Sequence, residues 1–119
     1  MRTRPPLETV AKDALRKIAS LERELRARKE PEKRPLALAK GVQKLKRAAY
    51  HARKAHAPRP LEAGLLRISA SIERNGLDAQ LADDLRAMVG PAVAVEAETG
   101  EPVAQRIATA LDWFTKPHG

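Results

Sequence analysis

The chain contains no cysteine and only three aromatic residues, Tyr50, Trp113 and Phe114. The first absence excludes disulfides, thiolate metal sites and cysteine nucleophiles. The second excludes a core built on aromatic rings and a deep apolar cavity of the kind that encloses small molecules. Only six glycines occur in 119 residues and none cluster, so a glycine-rich phosphate loop is excluded as well. Leu, Ile, Val and Phe together number 25, whereas alanine alone supplies 22. That aliphatic content lies just above the level at which a highly charged chain fails to fold alone. No apolar run approaches the roughly 18 residues of a membrane span. The opening Met1-Arg2-Thr3-Arg4-Pro5-Pro6 lacks the apolar stretch of a signal peptide. The expectation is a soluble, cytoplasmic, helix-rich protein of one domain that makes no use of a membrane.

What the chain does hold is positive charge, unevenly placed. Residues 1–60 carry 18 Lys/Arg against six Asp/Glu, a net of +12, while residues 61–119 carry five against nine, a net of −4. No acid occurs between Glu32 and Glu62, a window that holds Lys33, Arg34, Lys40, Lys44, Lys46, Arg47, Arg53, Lys54 and Arg59 together with His51 and His56. A solvated helix face usually mixes the two signs, because neighbouring glutamates relieve the repulsion between cations. A single-sign run this long points to a polyanionic partner, and nucleic acid is the leading candidate.

The hydrophobic periodicity predicts helices throughout. Leu7, Ala11, Ala14, Ile18, Leu21 and Leu25 step by four and three and make one apolar stripe over residues 7–29. Asp13–Lys17, Glu22–Arg26 and Glu24–Arg28 are favourable pairs on its outside. Pro31 and Pro35 break the chain. A second helix, Leu36 to Ala57, has Leu38, Val42, Leu45, Ala49 and Ala52 on its dry side. Lys40, Lys44, Arg47, His51 and Lys54 fall opposite, within an arc of about 80° at about 100° per residue. Lys46, Tyr50 and Arg53 flank them. Ala49 and Ala52 permit close approach of a neighbour, and the first helix in an antiparallel hairpin is the expected one. A third helix, Leu61 to Asn75, is closed by Gly76. A fourth, Leu77 to Val89, is expected to end at Gly90-Pro91. Residues 91–101 read equally as a loop or as further turns of helix. Pro102 opens a last helix that carries Val103, Ile107, Ala110 and Phe114 and ends at Pro117. The fold class expected is all-α: a small bundle of about five helices, with a basic hairpin at 1–57 and a mildly acidic three-helix part at 61–116.

Catalytic chemistry is missing from this pattern. His51 and His56 are five residues apart, the wrong spacing for two ligands on one helical face. Asp83 and Asp84 are adjacent, so their carboxylates diverge by about 100° and form no dyad. Ser20, Ser69 and Ser71 lie in no nucleophile motif. No catalytic residue, cofactor or metal site is expected. Trp113 sits one position from the apolar stripe of the last helix, where partial burial is the simple reading. Tyr50 borders the basic ridge, where it either stacks on an unpaired base or caps the seam between helices. The candidate nucleic-acid-binding residues are therefore Lys40, Lys44, Lys46, Arg47, Tyr50, His51, Arg53 and Lys54.

From Ile68 to Leu81 the chain reads Ile-Ser-Ala-Ser-Ile-Glu-Arg-Asn-Gly-Leu-Asp-Ala-Gln-Leu. In Ile72, Asn75, Gly76, Leu77 and Leu81, and in Ala110, Leu111 and Trp113 of the last helix, it resembles the small subunit of type III CRISPR RNA-guided effector complexes, the type III-B one in particular. The resemblance implies a non-catalytic all-helical bundle whose copies stack beside the subunits that hold the guide RNA. It also implies basic faces that steady a guide–target duplex, RNA or RNA–DNA, or a displaced strand, and the other subunits of a ribonucleoprotein complex as partners, stacked copies of itself among them. Contacts of that kind read phosphate and shape rather than base edges, which suits Lys40, Lys44, Arg47 and Lys54. Two other readings stay open at this point. One is a free-standing basic helical nucleic-acid-binding protein of phage or plasmid type. The other is an adaptor whose helical hairpin docks on an acidic protein, for which the same heptads also allow an intermolecular coiled coil.

Overall fold

The computed structural model describes residues 6–31 and 35–115, which form five helices. They are α1 (Leu7–Arg26), α2 (Pro35–Lys54), α3 (Arg59–Asn75), α4 (Ala79–Thr99) and α5 (Val103–Thr115). Residues 1–5, Glu32, Lys33, Arg34 and Pro117, which entered the reading above, lie outside the described residues.

The all-α bundle is the expected one, but its wiring is not. α5 is the hub: none of its residues is exposed, and Val103, Ile107, Ala110, Leu111 and Phe114 are wholly buried. α1 packs on α4 and α5, whereas α2 packs on α3 and α5. The antiparallel α1–α2 hairpin is therefore not formed, since α5 occupies the place expected for each helix's partner. A dry stripe has to be covered by something, and α5 is apolar or small enough around its circumference to cover two stripes at once. α2 runs antiparallel to α5, with Gly41 against Phe114 near one end and His51 against Glu101 near the other. Its buried side is small: Ala37, Gly41, Ala48, Ala49 and Ala52 surround Val42 and Leu45. The alanine richness of the chain is thus a means of bringing helices close together.

α4 departs from the expected stop at Gly90-Pro91 and continues through it to Thr99. Val89, Ala92, Val95 and Glu96 extend the buried stripe begun by Leu81 and Leu85. Burying that extra length outweighs the missing backbone N–H of Pro91, which lies on the solvent side with Gly90. The actual stop is Gly100, whose φ of 80° is left-handed and whose N–H donates to the Glu96 carbonyl at 2.8 Å. At the other end the Asp78 carboxylate accepts from the Leu81 N–H at 3.2 Å, which sets the start of α4 two residues later than the apolar pattern suggests. α2 likewise ends early, at Lys54. His56 takes a φ of 54° and the Ala57 N–H reaches back to the Ala52 carbonyl at 2.9 Å.

Glu96 is the one charged residue among the described positions that is buried, at 5% exposure. Its carboxylate accepts from the Gln105 backbone N–H at 3.2 Å and from the Gln105 side-chain amide. A carboxylate of α4 thereby satisfies a free donor in the first turn of α5. Glu96→Ala should lower stability in urea unfolding by about 1–3 kcal/mol, the cost of leaving buried donors unpaired. Glu96→Asp, too short to reach, should lose most of the same amount.

α1 is a helix of compensated charge. Lys12 pairs with Glu8 at 3.1 Å, Arg16 with Asp13 at 2.6 Å, Lys17 with Asp13 at 2.9 Å and Arg26 with Glu22 at 3.7 Å. Lys17 also reaches Asp112 of α5. Partial burial opposes the Lys17 charge, but the bonds to Asp112 and Asp13 outweigh it and raise its pKa above the ordinary lysine value. The same bonds from Lys17 and Arg16 hold Asp13 below the usual carboxylate range. Arg86 of α4 joins Glu22 at 3.0 Å and Asp83 at 2.9 Å. These pairs use Arg86 of α4 and every cation of α1 except Arg23 within the fold and leave them little to offer a ligand.

Candidate nucleic-acid interface

α2 differs in kind from α1. Because it packs on two helices, its buried arc is broad, and the outer face that remains is one helix wide. Leu36, Lys40, Gln43, Arg47, Tyr50 and Lys54 stand on that face in steps of four and three, all exposed. Lys46 and Arg53, also exposed, flank it on the side of α3, as the Lys46–Glu73 pair shows for the first of them. Lys44 and His51 are half-buried on the side of α5. The expected ridge is thus present but rotated. The apolar stripe drawn through Leu38, Val42 and Leu45 extends on the α5 side to Ala37, Gly41 and Ala48, and that shift draws Lys44 and His51 off the outer face.

The ion pairs sort the eight candidates further. Lys46 is bonded to Glu73 at 2.7 Å, and His51 Nδ1 to Glu101 at 2.7 Å. Lys54 lies 3.8 Å from the same Glu101. Lys40, Lys44, Arg47 and Arg53 have no carboxylate partner among the described residues. A helix with four uncompensated cations and no acid in its twenty residues carries a repulsion that a phosphate backbone would relieve. Lysine and arginine are suited to phosphate, and no Asn or Gln pair stands beside them to read base edges.

Tyr50 is 50% exposed and does not cap a helix seam. Its ring meets His51 edge-on at 5.4 Å, and the Lys54 ammonium lies 5.7 Å from its centroid. Of the other two aromatics, Phe114 is fully buried and Trp113 is half-buried. Tyr50 is therefore the one strongly exposed Phe, Tyr or Trp among the described residues, and it sits in the middle of the cationic face.

Glu73 and Glu101 belong to the site and were missed by sequence reasoning. They come from α3 and from the α4–α5 turn, and no local spacing connects them to α2. The Asn-Gly-Leu string has a structural role: Gly76, with a φ of 81°, donates to the Ile72 carbonyl at 2.8 Å and ends α3, while Ile72, Leu77 and Leu81 enter the core. Ala110 and Leu111 are core residues of α5. Among the described residues no cluster of His, Asp and Glu is arranged to hold a metal, and no helix is long and apolar enough to cross a membrane. Comparison of the chain with known protein families, with curated proteins and with solved structures returns no match.

Proposed function

We propose that the protein is a non-catalytic nucleic-acid-binding protein that holds the phosphate backbone along the outer face of α2. The observation that carries this reading is the contrast between helices: four of the five Lys/Arg of α1 are paired and Arg23 alone is not, whereas four of the six of α2, Lys40, Lys44, Arg47 and Arg53, have no carboxylate partner among the described residues. The narrower proposal is that it works as the small subunit of an RNA-guided CRISPR effector complex and steadies guide, target or displaced strand. The resemblance of Ile68–Leu81 supports that placement, and so does a single basic face too small to bind tightly without neighbours.

Fluorescence anisotropy of labelled oligonucleotides over a salt series tests both levels. Binding should be independent of sequence and steep in salt, with affinity falling as counterions compete for the phosphates. Binding that is measurable only near about 50 mM salt fits a subunit that borrows affinity from its neighbours. Tight binding by the isolated chain at physiological salt would favour a free-standing binder instead. Absence of salt-sensitive binding at low salt would overturn the phosphate reading and favour docking on an acidic protein.

A further inference from the structure

We infer that the outer face of α2 is a track for single-stranded nucleic acid, in which Tyr50 stacks on an unpaired base and Glu73 and Glu101 keep out the second strand of a duplex. This rests on the phosphate-binding reading and specifies its substrate. Two independent observations carry it. The first is the exposed Tyr50 ring, fixed against His51 and beside the Lys54 ammonium among uncompensated cations. A base in a duplex hides both faces in the stack, so an aromatic ring gains nothing from it, while an unpaired base offers a face to any ring within reach. Preordering of the ring by its two neighbours lowers the entropy lost when a base settles on it.

The second observation is the pair of carboxylates that bound the face. Glu73 lies 2.7 Å from Lys46 on the α3 side, and Glu101 lies 2.7 Å from His51 on the α5 side. Between them the face is one helix wide, about 10–12 Å with side chains. One backbone can lie along Lys40 and Arg47 without touching either carboxylate, and it nears Glu101 only at Lys54, whose ammonium stands 3.8 Å from that carboxylate and screens it. A duplex carries two phosphate strands around a common axis, and its second strand would be brought against Glu73 or Glu101, where like charge repels it. The carboxylates thus restrict the track to one strand while holding Lys46 and His51 at its edges.

The test uses the full chain with labelled oligonucleotides of one length and sequence: single-stranded RNA, single-stranded DNA, duplex DNA, and an abasic single strand. At equal salt both single strands should bind more tightly than the duplex, and preference between them identifies the natural strand. Tyr50→Leu should weaken binding of the single strands by about 5- to 100-fold, the range of one lost stack. It should leave their salt slope unchanged, and Tyr50→Phe should restore affinity. The abasic strand should not respond to Tyr50→Leu at all. Glu73→Gln together with Glu101→Gln should raise duplex affinity more than single-strand affinity. Binding in which the duplex is favoured and Tyr50→Leu changes nothing would overturn the strand assignment while leaving the phosphate reading in place. Failure of the unaltered chain to bind any probe at low salt would overturn both.

Discussion

Gly41→Ala should destabilise the bundle by about 1–3 kcal/mol, the usual cost of overpacking a close-packed core. The direction is opposite to the one helix propensity dictates, since alanine is the better helix former by about 1 kcal/mol. Geometry decides between them. A Cβ at position 41 would lie 2.1 Å from Phe114 Cε1, 2.4 Å from Cζ and 2.7 Å from Cδ1. Phe114 is fully buried in α5, the helix against which three others pack, so its ring cannot turn aside without disturbing them. Gly64→Ala meets Met88 Sδ at 2.7 Å, but a half-buried thioether on a flexible stem can move away. Its cost should be smaller and could be offset by propensity. Urea unfolding of the two variants measures the difference. A double variant, Gly41→Ala with Phe114→Leu, should lose less than the sum of its parts, because the smaller side chain admits the new methyl group. A Gly41→Ala variant as stable as the parent would mean that α2 and α5 are not in this close contact.

Gly41 shows where sequence reading stops. The periodicity of α1 and α2 displays their dry stripes plainly: Ala14, Ile18, Leu21 and Leu25 of the α1 stripe are buried, although Val10 joins them while Leu7 and Ala11 are only half-buried. Periodicity states how much surface must be covered and is silent on the element that covers it. The neighbour in sequence is the natural guess, and α5, furthest away, takes that place. Gly90-Pro91 misleads for a related reason. The local signal to stop is real, but Ala92, Val95 and Glu96 find cover beyond it, and tertiary burial overrides the local preference. The cationic face of α2 is legible because it is an accumulation of one residue type on one side of one helix. Its edges are not, because they are set by Glu73 and Glu101, which meet α2 only in the folded chain. Lys44 and His51 turn inward for the same reason that the hairpin fails, namely that α2 has two packing partners rather than one.

Replacing Lys40, Arg47 and Lys54 together with alanine should lower nucleic-acid affinity about a hundredfold at 0.1 M salt and flatten the salt slope by about 2 units for a single strand. The magnitude follows from counterion release. Each phosphate contact on a single strand contributes a slope of about 0.7, so three contribute about 2, and a slope of about 2 over one decade of salt is a factor of about a hundred. The loss should be uniform across sequences, because the contacts are to phosphate and not to bases. Stability should hold or rise: all three side chains are exposed, alanine favours helix, and removing Lys40 relieves its like-charge neighbour Lys44 one turn away. Thermal unfolding beside the binding series separates a lost contact from a lost fold. Two controls sharpen the test. Arg16→Ala removes a cation that is already paired with Asp13, and Asp83→Ala with Asp84→Ala removes acids of α4, so neither should change the slope by a comparable amount. If the α2 triple and these controls shift binding equally, net charge alone is at work and the face of α2 is not a site. If only the triple variant loses affinity, its fold intact and its slope reduced, the exposed cations on the outer face of α2 are where the backbone lies.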